Sequence, residues 1–238
     1  MGRKLLVRLV VLLALLVGAD RVAVAIAEGV VASQLAKVGH LAATPSVSIA
    51  GFPFLTQALS GHYERIDVTV ASFDTGAVGL RDLRLQVRGT DLPLTEALGG
   101  SVGSVHVDGI TGSAQLPYAA LAAASDIQDL TVVPAGDGVE VRGTVVVAGR
   151  SVSGTALASA ELEGTVLVVR ARSVRTTAAS SDAVRAEVGR QLGLRLKLDG
   201  LPFGLRVTDA TVGATGLRLT AGVGPTELRA LPAPRPRG

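Results

Sequence analysis

Aliphatic residues recur at every second position through most of this chain, and that spacing limits the folds open to it. Ile66, Val68 and Val70 alternate with Asp67 and Thr69, and Leu83, Leu85 and Val87 alternate with Arg84, Gln86 and Arg88. Period two places successive side chains on opposite faces of a strand, one apolar and one wet. The pattern starts at Val47 and Ile49 and returns at Val105 and Val107, around Val139 to Val147, from Thr165 to Val169, and from Leu194 to Leu219. Turn chemistry separates the runs, at Asp74-Thr75-Gly76 and at Gly136-Asp137-Gly138.

Helical spacing interrupts the strands in three places. From Arg21 to Val38, Val22, Ile26 and Val30 recur every fourth residue and Val31, Leu35 and Val38 continue the stripe, which predicts a helix packed on a sheet by that row. Gly39 is its expected stop. Ser181 or Asp182 can cap a helix that carries Val184, Val188 and Leu192 on one face, and Leu116 to Ala124 reads as a short helix with Pro117 at its start. The expected fold class is α+β, with a curved antiparallel β-sheet rolled around amphipathic helices.

The first nineteen residues have the parts of an export signal. Arg3, Lys4 and Arg8 form a positive flank, Leu9 to Val17 an apolar region, and Val17-Gly18-Ala19 a small-residue cleavage candidate. The apolar run is short for a bilayer span, and Val22, Val24 and Ile26 follow soon after Asp20-Arg21. Residues 1–19 are therefore expected to be a signal peptide or an N-terminal anchor. Residues 20–230 are the folded domain, and the Pro/Arg tail 231–238 is expected to be disordered.

Several function classes fall away on composition and spacing. The net charge of +3 comes from the three basic residues of the N-terminal flank, so the remainder is neutral. No basic run interleaved with aromatics marks a nucleic-acid surface. With no cysteine, thiolate and disulfide chemistry is absent. His40, His62 and His106 stand apart from one another and lack metal-ligand spacing. Gly99-Gly100-Ser101-Val102-Gly103 matches G-x-S-x-G, but only His106 follows it, too close for the Ser–Asp–His order, so it reads as a glycine turn. No catalytic residue, metal site or cofactor is expected.

The apolar excess, with mean hydropathy +0.46, is instead spread along the strands as small aliphatic residues. Such residues can line a cavity that larger side chains would fill, where each buried methylene of a bound chain contributes about 0.8 kcal/mol. Two of the four phenylalanines flank a proline in Gly51-Phe52-Pro53-Phe54-Leu55-Thr56-Gln57, and Leu201-Pro202-Phe203 echoes that segment. Proline fixes its own φ and disfavours helix at the residue before it, so each segment should present rigid apolar rings at a cavity mouth. A helix precedes each segment, and Gly79-Leu80-Arg81 and Gly216-Leu217-Arg218 follow them, a pattern consistent with an internal duplication.

Pro45-Ser46-Val47-Ser48-Ile49-Ala50-Gly51-Phe52-Pro53-Phe54-Leu55-Thr56-Gln57, followed by Gly61-His62-Tyr63 and a strand, resembles the LmeA-like phospholipid-binding family of actinobacterial cell-envelope proteins, formerly a domain of unknown function. Leu201-Pro202-Phe203 is consistent with it, and the resemblance covers about residues 1–228. It implies a tubular lipid-binding-like fold and a non-enzymatic envelope protein that is exported to the periplasm and holds phospholipid, including phosphatidylinositol-type lipid. It also implies support of lipoglycan (lipomannan-type) synthesis. Phospholipid and the membrane surface are then the expected partners, and nucleic acid is not. Phe52, Phe54, Leu55, Tyr63 and Phe203 are the candidate lipid-contacting residues. A structural or scaffolding envelope protein with a self-filled aliphatic core is the alternative.

Overall fold

The structure is a computed structural model and describes residues 2–38, 41–75, 78–93, 104–177, 181–198, 201 and 204–229. Gly39, His40, the glycine turn at 99–103, Pro202, Phe203 and the tail 231–238 lie outside these residues. The elements are mostly antiparallel strands with four helices among the described residues, and one sheet is strongly curled into a half-barrel. The expected α+β class with a curved antiparallel sheet is the class observed.

The chain forms two compact units. The first comprises Met1–Val70, Arg84–Ile110 and Gly224–Gly238, and the second Ala71–Leu83 and Thr111–Val223. One sheet has the order β1 (Ser46–Ala50), β2 (His62–Asp74), β3 (Gly79–Asp91), β4 (Ser104–Pro117), β11 (Gly216–Val223), β10 (Arg206–Val212), with β12 (Thr226–Arg229) paired to β4. A second has the order β5 (Gln128–Ala135), β6 (Gly138–Val147), β7 (Arg150–Glu163), β8 (Val166–Thr176), β9 (Leu194–Lys197).

In the first unit the alternation sets the register. Val47 lies opposite Val68 and Ile49 opposite Ile66, so aliphatic side chains meet across β1 and β2. Helix α1 (Gly2–Val38) packs on this pair. It runs without a break through both the expected signal segment and the expected helix from Arg21. The face it buries keeps Val31 and Leu35 of the expected stripe and leaves out the rest of that stripe's described side chains. Val22, Ile26 and Val30 are exposed, while Val24 and Ala32 are buried and Ala23, Ala27, Glu28, Val31 and Leu35 are half-buried. Two carboxylates select this face. Glu28 Oε1 accepts the Ile49 N–H of β1 at 2.8 Å, and Asp20 is engaged further along. Small alanines beside them let the helix approach the strand closely.

In the second unit, the helix capped by Ser181 is α4 (Asp182–Gln191), with the Ser181 hydroxyl accepting the Val184 N–H. Val188 and, just past the helix, Leu192 are fully buried, as the sequence spacing predicts. They sit over Gly154 and Gly143. A Cβ on Gly154 would lie 2.5 Å from Val188 Cγ1, so this strand position must lack a side chain for the helix to seat. Helix α3 (Tyr118–Ala123) follows Pro117 directly, and the Tyr118 hydroxyl donates to the Gly213 carbonyl at 2.7 Å. Gly79-Leu80 and Gly216-Leu217 open β3 and β11, which both neighbour β4, and both leucines are buried.

Candidate functional site

The Phe-Pro-Phe segment is the turn between β1 and α2 (Phe54–Ser60), and its two rings go different ways. Gly51, at φ +106°, makes the turn; a Cβ there would fall 2.3 Å from Gln57 Nε2. The Phe52–Pro53 peptide is cis, and Pro53 has φ −75° and ψ 141°. Phe54 enters the core with Val24, Ile49, Ala58 and Tyr63, its ring centroid 6.3 Å from that of Tyr63. Phe52 stays 62% exposed, with the Arg21 guanidinium 5.1 Å over its ring, a cation–π arrangement. Leu55 is 38% exposed. Tyr63 is buried, and that burial pushes its phenol pKa up.

Polar groups fix this turn to its surroundings. Gln57, buried, donates from Nε2 to the Ala50 carbonyl at 3.2 Å and accepts the Glu64 N–H at Oε1 at 3.1 Å, tying the end of β1 to the start of β2. Pro53 stands at the helix N-cap and offers no side-chain acceptor to the first free amides of α2. Asp20 of α1 supplies it: its Oδ1 accepts the Leu55 N–H at 2.8 Å, while its Oδ2 takes a hydrogen bond from Arg21. Asp20 is only 2% exposed as a result. Beyond the turn, His62 Nδ1 lies 2.6 Å from the Asp91 carboxylate, and that bond raises the imidazole pKa above its ordinary value.

Residues 2–19 of α1 are exposed throughout, and an apolar span over Gly2–Lys37 is long enough to cross a membrane. Two further apolar residues are exposed: Leu59, which the sequence reading passed over, and Val22, which it placed in the packed stripe of the helix. Leu59, one turn after Leu55, is 80% exposed, and Val22 is 60% exposed. The four-residue spacing of Leu55 and Leu59 was the available signal for the first. For Asp20 the sequence held none, because its partner amide is 35 positions away.

A separate groove of about 620 Å³ lies in the second unit between α4 and the strands β8 and β9. Its lining sets Val169, Val174 and Leu194 beside Arg170, Arg185 and Arg195. Glu163 binds Arg170 at 2.5 Å and Arg195 at 3.4 Å, and the Arg170 hydrogen bond holds its carboxyl below the usual carboxylate range. The described candidates Phe52, Phe54, Leu55 and Tyr63 do not line this groove. Val169 and Leu194 are buried and Val174 is half-buried, so the groove presents mainly its arginine side chains, of which Arg185 pairs with Asp182. Among the described residues no cluster of three His, Asp or Glu side chains could hold a metal ion.

Comparison with curated proteins and with solved structures finds no match. The family model for LmeA-like phospholipid-binding proteins matches residues 18–222, from the end of the apolar N-terminal run through most of β11. The chain belongs to the LmeA-like phospholipid-binding family.

Proposed function

We propose that this chain is a non-enzymatic phospholipid-binding protein of the cell envelope, exported and held at the membrane by the exposed half of α1, with acyl chains taken into an apolar cavity. The observation that carries this reading is the family match over residues 18–222, and the groove beside α4, lined by small aliphatic residues and several arginines, is the candidate cavity. Acyl methylenes gain by leaving water for the aliphatic residues, and a phosphate finds charge-assisted donors in the arginines. The arginines there suit an anionic lipid, a class that includes phosphatidylinositol-type lipids, and the family resemblance adds a role in maintaining envelope lipid or lipoglycan of the lipomannan type. Of the sequence candidates, Phe52 and Leu55 offer exposed apolar surface, Phe54 and Tyr63 support them from the core, and Phe203 remains a candidate on sequence grounds. Residues 20–230 then form the lipid-binding portion of the chain.

The test is to purify the full chain in detergent, extract it, and identify bound lipid by mass spectrometry, with vesicle binding measured in parallel. Bound phospholipid, and a weakened preference for anionic lipid in the Arg170→Gln/Arg195→Gln double variant, are expected. No co-purified lipid and no binding to any phospholipid would overturn the reading in favour of a scaffold with a self-filled core.

A further inference from the structure

α1 is long and apolar enough to cross a bilayer only if Asp20 and Arg21 lie within the span, and the apolar run before them is short by itself. From Leu9, just after Arg8, to Ala19 the helix advances about 16 Å at 1.5 Å per residue, against about 30 Å of hydrocarbon in an ordinary membrane. A span that falls short must thin the bilayer or draw flanking apolar surface down into it. The next residues on α1 are Asp20 and Arg21, which alone would stop such a descent.

The structure removes that obstacle. Asp20 is enclosed, with one oxygen on the Leu55 N–H and the other on Arg21. The same hydrogen bond pins α2 beside residue 20, at the level where the apolar run ends. There α2 and its turn expose Phe52, Leu55 and Leu59, and α1 adds Val22. Arg21 lies over Phe52, with an aliphatic stem that can stay among apolar groups while its guanidinium reaches headgroup phosphate.

We propose that α2 is an interfacial membrane-docking element: Phe52, Leu55 and Leu59 sit in the headgroup–acyl boundary of the bilayer that holds α1 and make up the missing span. This rests on the reading of α1 as an anchor, and it concerns a surface separate from the groove beside α4. The occupant is a lipid bilayer, because the patch adjoins the helix that enters one and carries the Arg21 cation over Phe52.

The chain contains no tryptophan, so single tryptophans are unambiguous reporters. Full-length Leu59→Trp and Phe52→Trp are reconstituted into mixed phosphatidylcholine–phosphatidylglycerol vesicles, with Thr69→Trp, at an exposed β2 position, as the comparison. Both α2-region reporters should emit at shorter wavelength, be quenched by lipids brominated high on the acyl chain, and show several-fold weaker iodide quenching than Thr69→Trp. The two sites report independently, and circular dichroism confirms that each variant folds. Equal iodide access at all three sites overturns the proposal, as does shielding from iodide without lipid quenching, which would indicate a protein cover. If phospholipid still co-purifies while the reporters stay in water, docking fails and lipid binding stands. If the reporters are lipid-quenched while no phospholipid co-purifies, docking stands and the groove reading falls.

Discussion

Asp20 accepts the backbone N–H of Leu55 at 2.8 Å, a bond from one helix to the open end of another 35 residues later. Because Pro53 provides no cap of its own, Asp20→Ala should leave that amide without a partner and expose a buried hole in the first unit. The thermal midpoint, followed by circular dichroism, should fall by several degrees. Asp20→Asn keeps an acceptor oxygen at the same position and should fall less. Equal losses for both would show that charge, not capping, is what Asp20 contributes.

The two rings of the Phe-Pro-Phe turn should respond in opposite ways to truncation. Phe54 is 6% exposed against Tyr63 and Val24, and Phe54→Ala should cost about 3–5 kcal/mol in chemical denaturation. Phe52→Ala removes a ring that is 62% exposed and should stay within about 0.5 kcal/mol. Any vesicle-binding loss in Phe52→Ala would then be a surface effect.

Thr90 carries a buried hydroxyl without a hydrogen-bond partner, the one such side-chain atom among the described residues. A buried, unpaired polar group costs about 1–3 kcal/mol. Thr90→Val keeps the shape and removes the group, so stability should hold or rise by up to about 2 kcal/mol. A marked loss in urea denaturation would mean that the hydroxyl has a partner after all.

His62 should titrate above its ordinary value of 6.5, because the Asp91 carboxylate stabilises the protonated ring. Folding therefore favours the charged imidazole. The contribution is fully present below pH 6.5 and is lost as pH rises through the raised pKa. Both side chains are about half exposed, so solvent screening keeps the effect on stability small. An NMR titration should show the raised midpoint, and Asp91→Asn should return it towards 6.5.

Period-two alternation was enough to read most of the strands, since burial on one face is all that a half-buried strand needs, but β5 and most of β7 went unread. Val47, Val68, Leu83, Leu85, Val139 and Val141 all face inward as the spacing predicts. The first half of the helix stripe failed for a specific reason. Hydropathy ranks Val22, Ile26 and Val30 above Ala23 and Ala27, but the fold needed small residues for close approach and two carboxylates aimed at distant amides. No local pattern records a partner that only the folded chain brings near. The Phe-Pro-Phe turn was legible as rigid and apolar, yet its two rings read alike in sequence. Their separation depends on the path from Gly51 through Pro53 and on the core that Tyr63 and α1 build behind Phe54.

The Glu28 carboxylate on the Ile49 N–H has a consequence for association between copies. β1 is an end strand of its sheet, and an end strand offers a row of unpaired amides to any other chain. Here α1 lies along β1 and its carboxylate occupies one of those donors. The residues that carry α1 into the fold thus also close a template for strand addition. A chain shortened beyond Glu28 would lose that closure and gain a route to edge-to-edge aggregation.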